Sequence, residues 1–275
     1  MKTVRDELFG SVTLRIVEVG KGYKGAIICK GKQPEIIGGD DPDVIWAKLK
    51  DMAGQYNTEY VGFDGARARF LRIFPEGFND PHYLGHAKTG ERNYKLEAIA
   101  KLEELLPLAA AKKAENSGEA ALAIYRSLNL LAPFEQMRVQ DLLRSTDADA
   151  FIRLAAAFAE GEIGVLERMK PILARYDSEK WTIATYLPFL WRSHDHMFLK
   201  PNVTRDFAKR VGHPFAQDYQ AKLNGDTYRS LIDLVGKTRA AIDGLGPRDN
   251  IDIQSFIWVV GEYEEPKTNE TPAHP

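Results

Sequence analysis

Polar and apolar positions change period along this chain. Residues 12–19, VTLRIVEV, alternate: Val12, Leu14 and Ile16 share one face before a switch at Val17 and Val19, the mark of a half-buried strand. A glycine turn, GKGYKG, follows at 20–25. Residues 26–30, AIICK, and 35–37, EII, read as a second strand bent near Pro34. GGDDPD then opens a helix over 43–55, with Asp41 as N-cap, Pro42 in a favoured first position, and Val44, Ile45, Leu49 and Met52 at helical spacing. Residues 60–64, YVGFD, and 67–74, RARFLRIF, read as a further strand or hairpin, which makes the start of the chain a β-β-α-β unit.

The stretch 75–93 breaks regular structure with prolines and glycines and carries aromatics and histidines, so it reads as a functional loop. Beyond it the period is helical. Helices are expected over 94–106, 119–131, 133–144, from a cap at Asp147 or Asp149 to 159, 163–175 with a kink at Pro171, 179–191, 203–211, 214–223, 226–244 and 251–263. Strands first and helices later mean an α+β protein. Its expected organisation is a small α+β domain at 1–75, a loop at 76–93, a mostly helical domain at 94–265 and a disordered tail at 266–275.

Charge narrows the picture little. There are 37 basic and 39 acidic residues, so bulk charge does not point to nucleic acid. Two windows are locally basic. Residues 65–95 hold six cations, Arg67, Arg69, Arg72, Lys88, Arg92 and Lys95, against three acidic residues. Residues 192–210 hold five, among them Lys200, Arg205 and Lys209, against two. Such windows are either solvated faces or phosphate contacts, and the aromatics beside them could stack on bases.

The lone Cys29, in an apolar run, reads as a buried strand residue and excludes an internal disulfide. The first ten residues lack the apolar core of a secretory signal, and no apolar run approaches the ~18 residues of a membrane span. A cytoplasmic protein without membrane association is expected. GxxxxGK[ST], GxGxxG, GxSxG and HExxH are all absent, so the usual handles for ATP hydrolysis, dinucleotide redox chemistry and zinc peptidase chemistry are missing. No metal or cofactor is expected. His194 and His196 would share a face only in a strand.

Three segments could carry chemistry. GFNDPHY, 77–83, gathers Phe78, Asn79, Asp80, His82 and Tyr83. It reads as an Asx-Pro turn, or as a pocket in which Asp80 is the catalytic carboxylate and the other four hold a base. In MFLKP, Lys200 could snorkel or act as an amine. In GPRDNIDIQSFIWVVGEY, 246–263, Phe256, Ile257, Val259 and Val260 fit a core helix capped by Asp249 or Asn250. Its polar residues Arg248, Asp249, Asp252, Gln254 and Ser255 suit capping and an internal ion pair, with a phosphate clamp as the alternative.

The order N-D-P-H-Y resembles the water-activating loop of uracil-DNA glycosylases, G-Q-D-P-Y-H, with Asn79 in place of the glutamine and the last two residues reversed. FPEGFNDPHY and ERNYK (74–83, 91–95), HMFLKPNVT (196–204) and PRDNIDIQSFIWVV (247–260) resemble bacterial proteins of phage-defence and restriction contexts, some of which excise modified bases. The resemblance implies a DNA glycosylase acting on modified phage DNA, with DNA as partner. A non-catalytic module that recognises modified DNA, or a protein-interaction subunit of a defence complex, are the alternatives. Asp64, Glu91, Lys200 and Asp252 stand behind Asp80 as chemical candidates.

Overall fold

The protein is described by a computed structural model covering residues 2–9, 12–20, 22–29, 34–53, 60–85 and 90–263. It divides into two compact units, the chain through Ile73 and Phe74–Tyr263.

In the first unit, β1 (Lys2–Phe9), β2 (Val12–Val19), β3 (Gly22–Cys29) and β4 (Glu35–Gly39) form an antiparallel sheet in that order. Helix α1 (Pro42–Ala53) covers one face and buries Leu14, Ile16, Ile27, Ile45, Trp46 and Leu49. Asp41 caps it as expected: its Oδ1 accepts from the backbone N–H of Asp43 at 2.8 Å and of Val44 at 3.3 Å. Gly25 lets α1 lie this close. A Cβ there would stand 2.5 Å from Ile45 Cγ2 and 2.7 Å from Leu49 Cδ1.

Three expectations for this unit are corrected. The segment 26–37 is not one bent strand but parts of two, β3 and β4. Strand β1 was not expected, because it shows little apolar alternation. It is an edge strand whose residues 2–7 are exposed, and charges that discourage further pairing also tie it down. Arg15 bonds Asp6 at 3.1 Å and Arg5 lies 4.8 Å over the Trp46 ring. Finally, Gly62–Ile73 is a helix, α2, and not a strand or hairpin. Phe63, Ala66, Phe70 and Ile73 recur every three or four residues, and that period outweighs the local alternation of RARFLRIF. The unit is therefore β-β-β-β-α-α. Cys29 ends β3, but its side chain lies outside the described residues, as do residues 264–275 and with them the expected tail.

The second unit is helical. After a 3₁₀ turn at Gly77–Asn79 come α3 (Pro81–Leu84), α4 (Asn93–Leu105), α5 (Leu108–Ala111), α6 (Gly118–Tyr125), α7 (Pro133–Leu143), α8 (Ala148–Ala159) and α9 (Val165–Ala174). Then follow α10 (Trp181–Ala184), α11 (Tyr186–Trp191), α12 (Pro201–Arg210), α13 (Phe215–Asp218), α14 (Gly225–Ala241) and α15 (Asn250–Glu262). The α+β class therefore stands. The expected helix over 179–191 divides at Thr185, because Pro188 has no N–H to bond Ala184. The helix begun near 119 stops at Tyr125, and that expected over 214–223 is a single turn. Residues 76–93 are less of a loop than expected: they contain the 3₁₀ turn and α3, with 86–89 outside the described residues.

Helix α15 is the centre of this unit. Ile251 to Ile257 are all buried, polar residues included, and α12 and α14 pack on it. A helix buried on every side has no polar face to spare, so each polar side chain it carries needs a partner inside. Among the described residues, no helix is long and apolar enough to cross a membrane.

Candidate functional site

The polar residues of α15 meet the start of α4 in a buried lattice of charge. Asp249 caps α15, its Oδ1 accepting from the N–H of Ile251 at 3.0 Å and of Asp252 at 3.2 Å. Arg92 clasps the same carboxylate with both terminal nitrogens, at 2.9 and 2.8 Å, and reaches Asp252 Oδ1 at 2.7 Å. Tyr83 donates to that oxygen at 2.5 Å. Arg248 holds the other Asp252 oxygen through Nε at 3.0 Å and bonds the Phe78 carbonyl at 2.5 Å. Burial pushes the Asp249 carboxyl pKa up, but the bonds and charge of Arg92 outweigh it and leave the group below the ordinary carboxylate value.

One turn along α4, Lys95 is fully buried. Its Nζ donates to Glu91 Oε2 at 3.0 Å and to Ser255 Oγ at 2.8 Å. Burial lowers the Lys95 pKa, partly offset by the Glu91 charge. Tyr263 donates to the other Glu91 oxygen at 2.7 Å, and burial together with that carboxylate raises the phenol. Three cations thus face three anions. A closed, fully bonded set of this kind fixes geometry.

Beside the lattice opens a cavity of about 520 Å³, inside the ~300–1,000 Å³ range of small-ligand sites. Glu91, Tyr94 and Lys95 line it from the start of α4, with Lys101 two turns on. Ser127 and Asn129 come from the segment after α6, Lys200 from the cap of α12, and Gln254 and Trp258 from α15. Gln254 and Trp258 are four residues apart and so share a helix face. Lys200 Nζ stands 4.2 Å from the centroid of the half-buried Trp258 ring. Gln254 is 5% exposed, and its Oε1 is buried with no hydrogen-bond partner among the described residues.

The expected site residues scatter. Asp80 is 4% exposed and belongs to a turn: Oδ1 accepts from the N–H of His82 at 2.9 Å and Oδ2 from that of Glu76 at 3.4 Å. It is not among the residues lining the cavity. Phe78 and Tyr83 are core rings, 5.3 Å apart edge to face, whereas Asn79 and His82 are exposed. As a base pocket, then, the cluster 78–83 has two rings already packed and a carboxylate occupied by backbone. Arg92 is a correction of the same kind: two carboxylates fill its fork, so it carries structure and is not open to a phosphate.

Of the other expected cations, Arg67, Arg69 and Arg72 stand on α2 in the first unit, Arg69 buried and Arg67 exposed. On α12, Arg205 lies 5.0 Å over the Tyr219 ring and Lys209 is exposed. Lys95 and Lys200 do reach the cavity. His194 and His196 lie in no strand: His194 is exposed, while His196 is buried with Nδ1 2.7 Å from the Tyr228 hydroxyl. Among the described residues, no group of three or more His, Cys, Asp or Glu could hold a metal ion.

Gln254 was expected only at the helix entry, in capping, an ion pair or a phosphate clamp, and Trp258 in packing; the structure places both at the cavity. The available signal was a glutamine inside the apolar run IDIQSFIWVV, whose burial implies an internal partner or a ligand. No protein-family model matches the chain, and neither a curated protein nor a solved structure is significantly similar to it.

Proposed function

We propose that this cavity takes a nucleobase flipped out of modified DNA, and that the protein is a DNA glycosylase of anti-phage defence. The observation that carries the reading is the composition of the cavity: the glutamine Gln254, the tryptophan Trp258 and the buried carboxylate residue Glu91 line one base-sized space. A flipped base is held by stacking and edge hydrogen bonds, the roles of Trp258 and Gln254. Glycosidic cleavage then needs negative charge near the sugar. Water adds to C1′ as the C1′–N bond breaks, and the base leaves with that electron pair and takes up a proton. Glu91 is the carboxylate for this role, with Lys95 and Tyr263 fixing its direction. Lys200 at the cavity, with Arg205 and Lys209 farther along α12, would meet phosphates.

Purified protein incubated with normal and phage-modified DNA, without metal or ATP, should generate abasic sites only in the modified DNA. A second reading is supported by the pairing of Glu91, both of whose oxygens already accept bonds. On that reading the protein binds modified DNA without cleaving it, and the same assay would show salt-dependent binding and no abasic sites.

A further inference from the structure

We infer that Lys200 competes with the substrate base for the face of Trp258 and is drawn off it by a phosphate, so that the cavity selects a nucleotide over the same nucleoside without phosphate. The inference rests on the reading of the cavity as a nucleobase site and deepens it, from a phosphate contact to the choice of substrate class.

Two lysines lie against aromatic rings in this cavity, and they differ in freedom. Lys95 Nζ stands 5.3 Å from the Tyr94 ring centroid, but it is fully buried and bonded to Glu91 and Ser255, so it stays in place. Lys200 Nζ stands 4.2 Å from the Trp258 ring centroid and, among the described residues, has no hydrogen bond or ion pair. Lys200 and Trp258 are both half-buried and both line the cavity, and Trp258 is the one residue from Ile251 to Val260 that is not buried. The contact therefore sits at the cavity wall.

Charge makes Lys200 the group left over. Glu91 is paired with Lys95, while Glu97 and Lys101, both exposed and four residues apart on α4, offset each other. An ammonium without an anion, beside a ring, has the parts of a nucleotide site: the indole stacks the base and the cation takes the phosphate. One ring face cannot hold an ammonium and a base together. A base without phosphate must displace the ammonium and leave it with no partner. A base with phosphate offers the ammonium a stronger place, because a charge-assisted bond is worth about tenfold or more in affinity and a part-exposed cation–π contact about two- to fivefold. Buried Met197–Leu199 and Pro201, the first residue of α12, anchor the Lys200 backbone on either side, so the exchange needs only rotation of the flexible four-carbon stem. Glycosidic cleavage then separates the base from the phosphate, which stays with the strand. Once the strand leaves, the ammonium returns to the ring and displaces the free base.

The test compares nucleosides with their 5′-monophosphates: deoxyadenosine with its monophosphate, and deoxycytidine with its monophosphate. Binding to the full-length protein is measured by calorimetry for the native chain and for Lys200→Ser, with a thermal melt of each. Serine removes the ammonium and its stem and is a favoured N-cap for α12. In the native protein the nucleotide should bind at least about tenfold more tightly than the nucleoside. In Lys200→Ser the two affinities should move in opposite directions, the nucleotide weaker by about tenfold and the nucleoside tighter by about two- to fivefold. A nucleoside affinity that is unchanged or lower in Lys200→Ser makes the lysine a phosphate contact only and overturns the exchange, while the cavity remains a base site. A nucleotide affinity unchanged in Lys200→Ser overturns it as well. Equal binding of nucleoside and nucleotide to the native protein overturns it without any variant. If neither binds the native protein, the base-site reading fails and this inference with it.

Discussion

Arg92 and Asp249 meet through two parallel hydrogen bonds, 2.9 and 2.8 Å, across 157 residues of chain. The pair joins the start of α4 to the cap of α15, and the cavity is lined from both of these elements. Its partners, Asp252 and Tyr83, extend the joint to the segment after the 3₁₀ turn.

Removing the guanidinium should therefore destabilise the second unit strongly. Arg92→Met leaves the Asp249 and Asp252 carboxylates buried with less countercharge, a change that typically costs about 3–5 kcal/mol. Arg92→Lys keeps the charge but loses the two-pronged grip and should fall between native and Arg92→Met. Denaturant unfolding of the three proteins checks the order.

The same pair sets a pH dependence. Arg92 and the backbone donors hold the Asp249 pKa in the folded protein below the ordinary value, despite burial. The resulting stability is complete above the unfolded carboxyl value, ~3.9, and is lost as the pH falls through the lower folded value. The stability difference between native protein and Asp249→Asn should thus be constant from about pH 5 to pH 8 and shrink below about pH 4. Denaturation midpoints across that range measure it.

Asp80 offers a sharp contrast between catalytic and structural roles. Its oxygens accept backbone N–H groups, and an asparagine oxygen can accept from His82 equally well. Asp80→Asn should stay within about 0.5 kcal/mol of native stability, since asparagine caps as well as aspartate, while Asp80→Ala should lose about 1 kcal/mol. Any base-excision activity of the native protein should persist in Asp80→Asn. A large loss of turnover in a folded Asp80→Asn protein would return the chemistry to that residue.

Glu91 and Lys95 should behave as a unit. Glu91→Gln leaves a fully buried ammonium without its carboxylate, and Lys95→Met leaves the carboxylate without its ammonium. Each should cost about 3–5 kcal/mol. The double variant should be less destabilised than the sum by at least about 1 kcal/mol, because it removes both charges together. A denaturant-based double-mutant cycle measures the coupling.

Much of the local architecture was written in short stretches of the chain. Asp41 before Pro42 specifies the start of α1, Asp249 specifies the start of α15, and the spacing of Leu14 and Ile16 marks a strand with one covered face. These features depend on neighbours within about four residues, so period and capping chemistry reveal them. Where two periods overlapped, as in RARFLRIF, or where a strand showed little apolar alternation, as in β1, local pattern was not enough. Only the tertiary structure decided that Asp80 faces backbone donors, that Arg92 is spent on two carboxylates, and that Glu91, Lys95, Lys200, Gln254 and Trp258 surround one cavity. The physical reason is range. A buried charge takes its role from whichever helix faces it, and α4, α12 and α15 are brought together by their apolar surfaces, which carry no record in sequence of the polar groups that will meet between them.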